Sequence, residues 1–221
     1  MSTRKAVAEF LGTFLFMTIG YASVAAIGKA SAPGLLVVPF SFSFGLLAAI
    51  FAFGHISGGH YNPAVTIAMV LDKRTTTIDA FGYIVAQVAG ALLAGLVVLV
   101  VAGQAAVAAG VTKPGQGISD IGALILEVVL TAGFVVVILA STKHATSLAP
   151  LAIPLTLLAI HFAAAPLSGA SVNPARSIGS ALVGADIGAL WIYLVAPVVG
   201  AVVGWVVYRY AAEQDLPSLR S

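Results

Sequence analysis

No cysteine occurs in the 221-residue chain, so neither a disulfide framework nor a thiolate metal site can contribute to its function. Charge is nearly as scarce. Only 8% of the residues are Asp, Glu, Lys or Arg, where a soluble domain carries about 25%. So few charges cannot cover a water-facing surface, which excludes an ordinary soluble enzyme or binding module. The net charge of +2 is too small for a nucleic-acid footprint, and the basic residues flank apolar runs, where they act as membrane anchors. Alternating polarity, the mark of a closed membrane barrel, is also missing, since residues 92–101 are apolar throughout. No Ser, His and Asp set faces one cavity, and no cofactor is called for.

What is present is hydrophobic residue, at 60%, together with 23 glycines of the kind that let helix backbones approach in lipid. The class is all-α membrane protein. A crossing of roughly 30 Å needs about 20 apolar residues. Six runs meet that length, at 6–27, 35–54, 81–101, 121–140, 148–166 and 187–208. The first run, after Arg4 and Lys5, is too long for a signal-peptide core and reads as an uncleaved span. Two further apolar pieces, 63–71 and 174–183, reach only about half-way at 1.5 Å per residue, and are expected to enter and return on one side.

Basic residues set the expected sidedness. With the N-terminus cytoplasmic, Arg4, Lys5, Lys73, Arg74, Lys143, Arg209 and Arg220 are inside, against Lys29 and Lys113 outside. Both termini are then cytoplasmic. The halves also compare: Glu9-Phe-Leu-Gly-Thr13 matches Glu127-Val-Val-Leu-Thr131 at Glu and Thr, and 57–66 matches 168–177 at five of ten positions. Three spans per half, an odd number, make this an inverted repeat within one domain, over about 1–110 and 118–221. The Gly-rich, Pro-containing linker 103–119 reads as a solvent-exposed loop.

Each short piece begins with a triplet, Asn62-Pro63-Ala64 or Asn173-Pro174-Ala175. Asn is a favoured N-cap and Pro a favoured first helical residue, so each triplet starts a helix. A single Asn-Pro marks an ordinary turn, but two copies at equivalent places in an inverted repeat put two half-helix N-termini at the midplane. Their partial positive charge repels cations, and the Asn amides offer donors to a passing oxygen. A water held there donates its hydrogens outward, which interrupts a proton wire. The Ser-Gly-Gly-His-Tyr-Asn-Pro-Ala-Val-Thr segment, the second Asn-Pro-Ala-Arg-Ser and the paired Glu-x-x-x-Thr resemble the aquaporin (major intrinsic protein) family over essentially the whole chain. The resemblance implies a right-handed bundle of six transmembrane helices and two re-entrant half-helices, assembled as a plasma-membrane homotetramer with one pore per subunit.

Three residues can be placed by depth. Phe42 lies 12 residues before Gly54, about 18 Å up from the inner end, and His161 lies 13 residues after Leu148, about 20 Å up. Arg176 is one turn beyond Asn173, about 5 Å above the midplane. A ring, an imidazole and a guanidinium at one depth make a constriction. An Arg so deep costs roughly 2.5–3.5 kcal/mol on insertion scales unless it faces a wet cavity, or pairs with a buried Glu. The resemblance adds Ala170 as the fourth filter position and implies the water-selective type, with Ser177 where glycerol facilitators carry Asp. Leu194 and the small Ala170 depart from the usual water-channel residues, which leaves glycerol, ammonia or peroxide as alternative solutes. Glu9 and Glu127 are expected to accept hydrogen bonds from irregular loop backbone rather than relay protons. His55 and His60 either line the inner vestibule or cap loop backbone, and His144 is a solvated loop residue.

Overall fold

The computed structural model describes residues 2–28 and 32–212. Among these residues every regular element is helical. Six helices are long and apolar enough to cross a membrane: α1 Thr3–Ile27, a second span Gly34–Ser57, α5 Thr77–Ala102, α7 Asp120–His144, α8 Ala149–Ser168 and a sixth span Leu190–Ala211. The second span is α2 Gly34–Ala49, a π-helical segment Ile50–Gly54 and the turn α3 His55–Ser57; the sixth is α10 Leu190–Val207 continued by a π-helical end. Between them lie the half-helices α4 Pro63–Leu71 and α9 Pro174–Val183, and a short helix α6 Gln104–Ala109. Outward faces are apolar, as Ile78, Phe81 and Val100 show at 71%, 73% and 85% exposure, which suits hydrocarbon and not water.

Packing repeats across the two halves. Helix α1 packs on α5 and α2, and α7 packs on α10 and α8; α9 lies against α5, and α4 against α10. The two tightest crossings use equivalent glycines. A Cβ at Gly90 would lie 2.5 Å from the Phe10 carbonyl oxygen, and one at Gly200 would lie 2.6 Å from that of Val128. Small residues therefore let these backbones touch. Gly90→Val and Gly200→Val are each expected to destabilise by about 1–3 kcal/mol or more, because neither backbone can withdraw without moving its half-helix. Thermal melting of the detergent-solubilised protein measures this, and an unchanged midpoint would exclude close crossing at these points.

Several element ends lie beyond the sequence expectation for local reasons. Helix α5 starts at Thr77 because the Thr76 hydroxyl accepts from the Asp79 N–H at 3.1 Å, and α7 starts at Asp120 because Ser119 does the same for Gly122. The linker differs more. It is not simply a solvent-exposed loop, since Ala-rich 104–109 forms α6, and Val107, Gly110, Val111 and Thr112 are buried against the bundle. The described basic residues Arg4, Lys5, Lys73, Arg74, Lys143 and Arg209 occupy the end of the bundle where α1 begins, and Lys113 occupies the other. Lys29 and Arg220 lie outside the described residues.

Candidate pore and its constriction

Both half-helices begin as their triplets dictate. Asn62 and Asn173 are extended residues whose side-chain oxygens accept from the first-turn N–H groups, Ala64 at 2.9 Å in one case and Ala175 at 3.0 Å and Arg176 at 3.3 Å in the other. The amide nitrogens cross over. Asn62 Nδ2 donates to the Val172 carbonyl at 2.8 Å, and Asn173 Nδ2 donates to the Tyr61 carbonyl at 2.9 Å. Each amide therefore ties its own helix start to the opposite loop. An amide nitrogen carries two hydrogens, so one N–H per Asn is left, and both side chains line the lumen.

The loops ahead of the triplets are held from outside the lumen by the two carboxylates. Glu9 accepts from the His60 N–H at 3.0 Å and the Tyr61 N–H at 2.7 Å, and also from Ser57 Oγ at 2.6 Å and Gln87 Nε2 at 2.8 Å. Glu127 accepts from the Ser171 N–H at 2.8 Å, the Val172 N–H at 2.7 Å and Ser168 Oγ at 2.7 Å. Tyr61, Ala170 and Val172 have φ of 48°, 47° and 43°, a left-handed conformation that costs a non-glycine residue roughly 1–2 kcal/mol. The paired N–H groups form a concavity around each carboxylate, and these charge-assisted bonds offset the strain. The symmetry extends further: Tyr83 and Tyr193 donate to the Ser57 and Ser168 carbonyls. It breaks at Gln87, whose register partner is Pro197, so Glu9 has four donors and Glu127 three.

Phe42, His161 and Arg176 come together. The Phe42 and His161 rings stack at 5.0 Å with a 21° angle between planes, and the guanidinium carbon of Arg176 lies 5.2 Å from the Phe42 ring centre. His161 Nδ1 is 3.0 Å from the Leu157 carbonyl, which can only accept, so Nδ1 carries a hydrogen. In the neutral ring Nε2 is then an acceptor, and it has no protein partner. Arg176 Nη1 donates to the Gly110 carbonyl of the linker at 2.9 Å, while its Nε is unpartnered. His161 and Arg176 both line the lumen, and each keeps a polar atom without a protein partner, an acceptor on one and a donor on the other. From them the lumen runs past the Asn pair to Thr142 and Met69 near the α1-start end, with about 40 Å³ of room for water-sized molecules between mostly apolar walls such as Leu46, Val65, Ile138 and Leu157. A chain of small polar stations along an apolar tube suits a small neutral solute that needs a few hydrogen bonds and little else.

The remaining sequence candidates fall as follows. Ala170 is fully buried in the loop and is not among the lumen-lining residues, whereas its neighbour Ser171 is. His60 lines the lumen and bonds Thr66 through Nδ1 at 3.1 Å, and His55 lines a vestibule that adjoins the lumen at Gly58, Gly59 and Thr142. His144 is exposed but not merely solvated, because Tyr208 Oη lies 3.4 Å from its Nε2. Arg176 pairs with a backbone carbonyl rather than with a buried Glu. Sequence reasoning missed two supports of the constriction, the Gly110 carbonyl and Tyr21, whose hydroxyl donates to the Arg176 carbonyl. A lone tyrosine in an apolar span was the available signal, since a buried phenol needs a partner.

Residues 1–208 match the family model described as Major intrinsic protein. Aquaporin Z of Rhodopseudomonas palustris is 40% identical over 229 aligned residues, covering 97% of this chain and 95% of that protein. The glycerol uptake facilitator protein-like 6 of Lactiplantibacillus plantarum is 39% identical over 223, covering 96% of this chain and all of that protein. In fold, the chain is similar to the crystal structure of the aquaglyceroporin from Plasmodium falciparum, with a TM-score of 0.85 at 24% identity over 95% of this chain and 96% of that one. With opposed half-helices, crossed Asn amides and a lumen lined by both halves already evident, these matches show that the chain belongs to the major intrinsic protein family of membrane channels.

Proposed function

We propose that the chain is a passive water channel, with solute choice set at Phe42, His161 and Arg176 and proton exclusion shared between Arg176 and the Asn62–Asn173 pair. The observation that carries this reading is the stacked Phe42–His161 pair with the guanidinium 5.2 Å from the same ring. Two rings and a fixed cation leave little cross-section for a polyol, while His161 Nε2 and the Arg176 donors replace the hydrogen bonds a water gives up on entry. At the midplane a water oxygen accepts from the free N–H of each Asn and turns its hydrogens away, so protons cannot hop past. Glu9 and Glu127 act on the loops and not on the solute. Under this reading the protein sits in the plasma membrane with both termini cytoplasmic, and works as a homotetramer with one lumen per subunit.

A less selective channel, passing glycerol, ammonia or hydrogen peroxide as well as water, is the second reading. It is favoured by a 39% identical relative named glycerol uptake facilitator protein-like 6. Light scattering of proteoliposomes under sucrose and then glycerol gradients separates the two. Fast shrinkage in sucrose with slow glycerol re-entry is expected. Water flux equal to that of empty liposomes sinks both readings, and glycerol entry as fast as water efflux selects the second.

A further inference from the structure

Tyr21 touches two of the three constriction residues, Arg176 and Phe42. It is buried on α1, at 3% exposure, and does not line the lumen. Its hydroxyl donates to the backbone carbonyl of Arg176, in the first turn of α9. Its ring centre lies 6.0 Å from the guanidinium carbon, and its edge meets the Phe42 ring at 6.3 Å and 73°. The residue before it completes the seat: a Cβ at Gly20 would lie 2.4 Å from Phe42 Cε1, so only glycine leaves room for the ring.

Two other hydroxyls of α1 show what is unusual here. Thr18 and Ser23 bond back to carbonyls of their own helix, Phe14 at 2.7 Å and Gly20 at 2.7 Å. Tyr21 instead reaches across to another element, and the carbonyl it reaches belongs to the residue whose charge faces the lumen. A phenylalanine would fill the same volume against Phe42, so packing alone does not account for the phenol.

We propose that Tyr21 is a positioning residue for the constriction: from α1 it fixes both the height of Arg176 along the lumen and the tilt of Phe42, so solute selectivity depends on a group that no permeating molecule touches. This rests on the reading that Phe42, His161 and Arg176 set solute choice. Without the phenol the first turn of α9 has one tie fewer, the guanidinium samples a wider range, and the aperture opens more often to a solute larger than water.

Proteoliposomes of Tyr21→Phe and Tyr21→Leu test this, with water, glycerol and proton fluxes read from the same preparation. Tyr21→Phe is expected to raise the glycerol-to-water permeability ratio about fivefold, the population change that one lost neutral hydrogen bond produces, together with a measurable proton leak. Tyr21→Leu raises the ratio further. Tyr208→Phe is the control, since its hydroxyl meets His144 at the opposite end of the bundle, and it keeps the parent ratio. A monodisperse Tyr21→Phe protein with the parent melting midpoint, ratio and proton leak overturns the proposal. Should Tyr21→Leu fail to assemble, Tyr21→Phe alone decides. Should the unsubstituted channel pass glycerol as freely as water, the water-selective reading fails by itself. The brace is then read from the ratio of a longer polyol to glycerol, which must still rise in Tyr21→Phe.

Discussion

Arg176→Val proteoliposomes are expected to leak protons and small cations roughly two orders of magnitude faster than the parent, the effect of removing a unit charge about 5 Å from the permeation path at an effective dielectric of about 20, or about 3 kcal/mol. Arg176 is 5% exposed and its guanidinium is held through Nη1 by the Gly110 carbonyl, which resists its swinging away to relieve repulsion with an entering cation. Valine also shortens the side chain that closes the passage beside Phe42 and His161, so glycerol entry rises too. The half-helix N-termini remain and still repel cations, which keeps the leak short of an open pore. A pH-sensitive dye inside the vesicles reads the proton flux. An unchanged leak, with water flux retained, would remove Arg176 from the barrier and leave it to the Asn pair alone.

Glu9→Ala is expected to abolish a monodisperse protein rather than to alter flux. Two backbone N–H groups, the Ser57 hydroxyl and the Gln87 amide lose their acceptor in a dry interior, at about 1–3 kcal/mol each. The total is comparable with the whole stability of a domain, about 5–15 kcal/mol. Tyr61 would also keep its left-handed strain with nothing to offset it. Glu9→Gln is little better, because its amide nitrogen must face at least one donor. Glu127→Ala loses three donors instead of four and is expected to be the milder of the two. Size-exclusion profiles and melting midpoints in detergent measure both. A Glu9→Ala protein that melts with the parent but loses proton exclusion would assign the carboxylate to a relay and not to the loop.

The half-helices were legible to the residue. Their starts are written in Asn-Pro, where cap and missing N–H coincide, and their lengths in the apolar run that follows. Span ends were less so, because Thr76 and Ser119 extend α5 and α7 by side-chain bonds that hydrophobicity does not register. Depth counting brought Phe42, His161 and Arg176 to one level because helix rise is nearly constant, but it could not see what holds them there. Gly110 and Tyr21 act across long sequence separations, through a carbonyl and a hydroxyl that no motif marks. The linker misled for a related reason: its Gly and Pro residues signalled turns, while the Ala-rich 104–109 stretch and the buried Gly110–Thr112 answered to the bundle beneath them.

The crossed bonds of the two asparagines bear on how such a chain is made. When only the first half has left the ribosome, Asn62 Nδ2 lacks the Val172 carbonyl, and the Tyr61 carbonyl lacks Asn173, more than a hundred residues before either partner is synthesised. The first re-entrant segment therefore waits in an unfinished state, with polar groups that hydrocarbon cannot satisfy. The lumen is walled by residues of both halves, so it is complete only once the second half is in place.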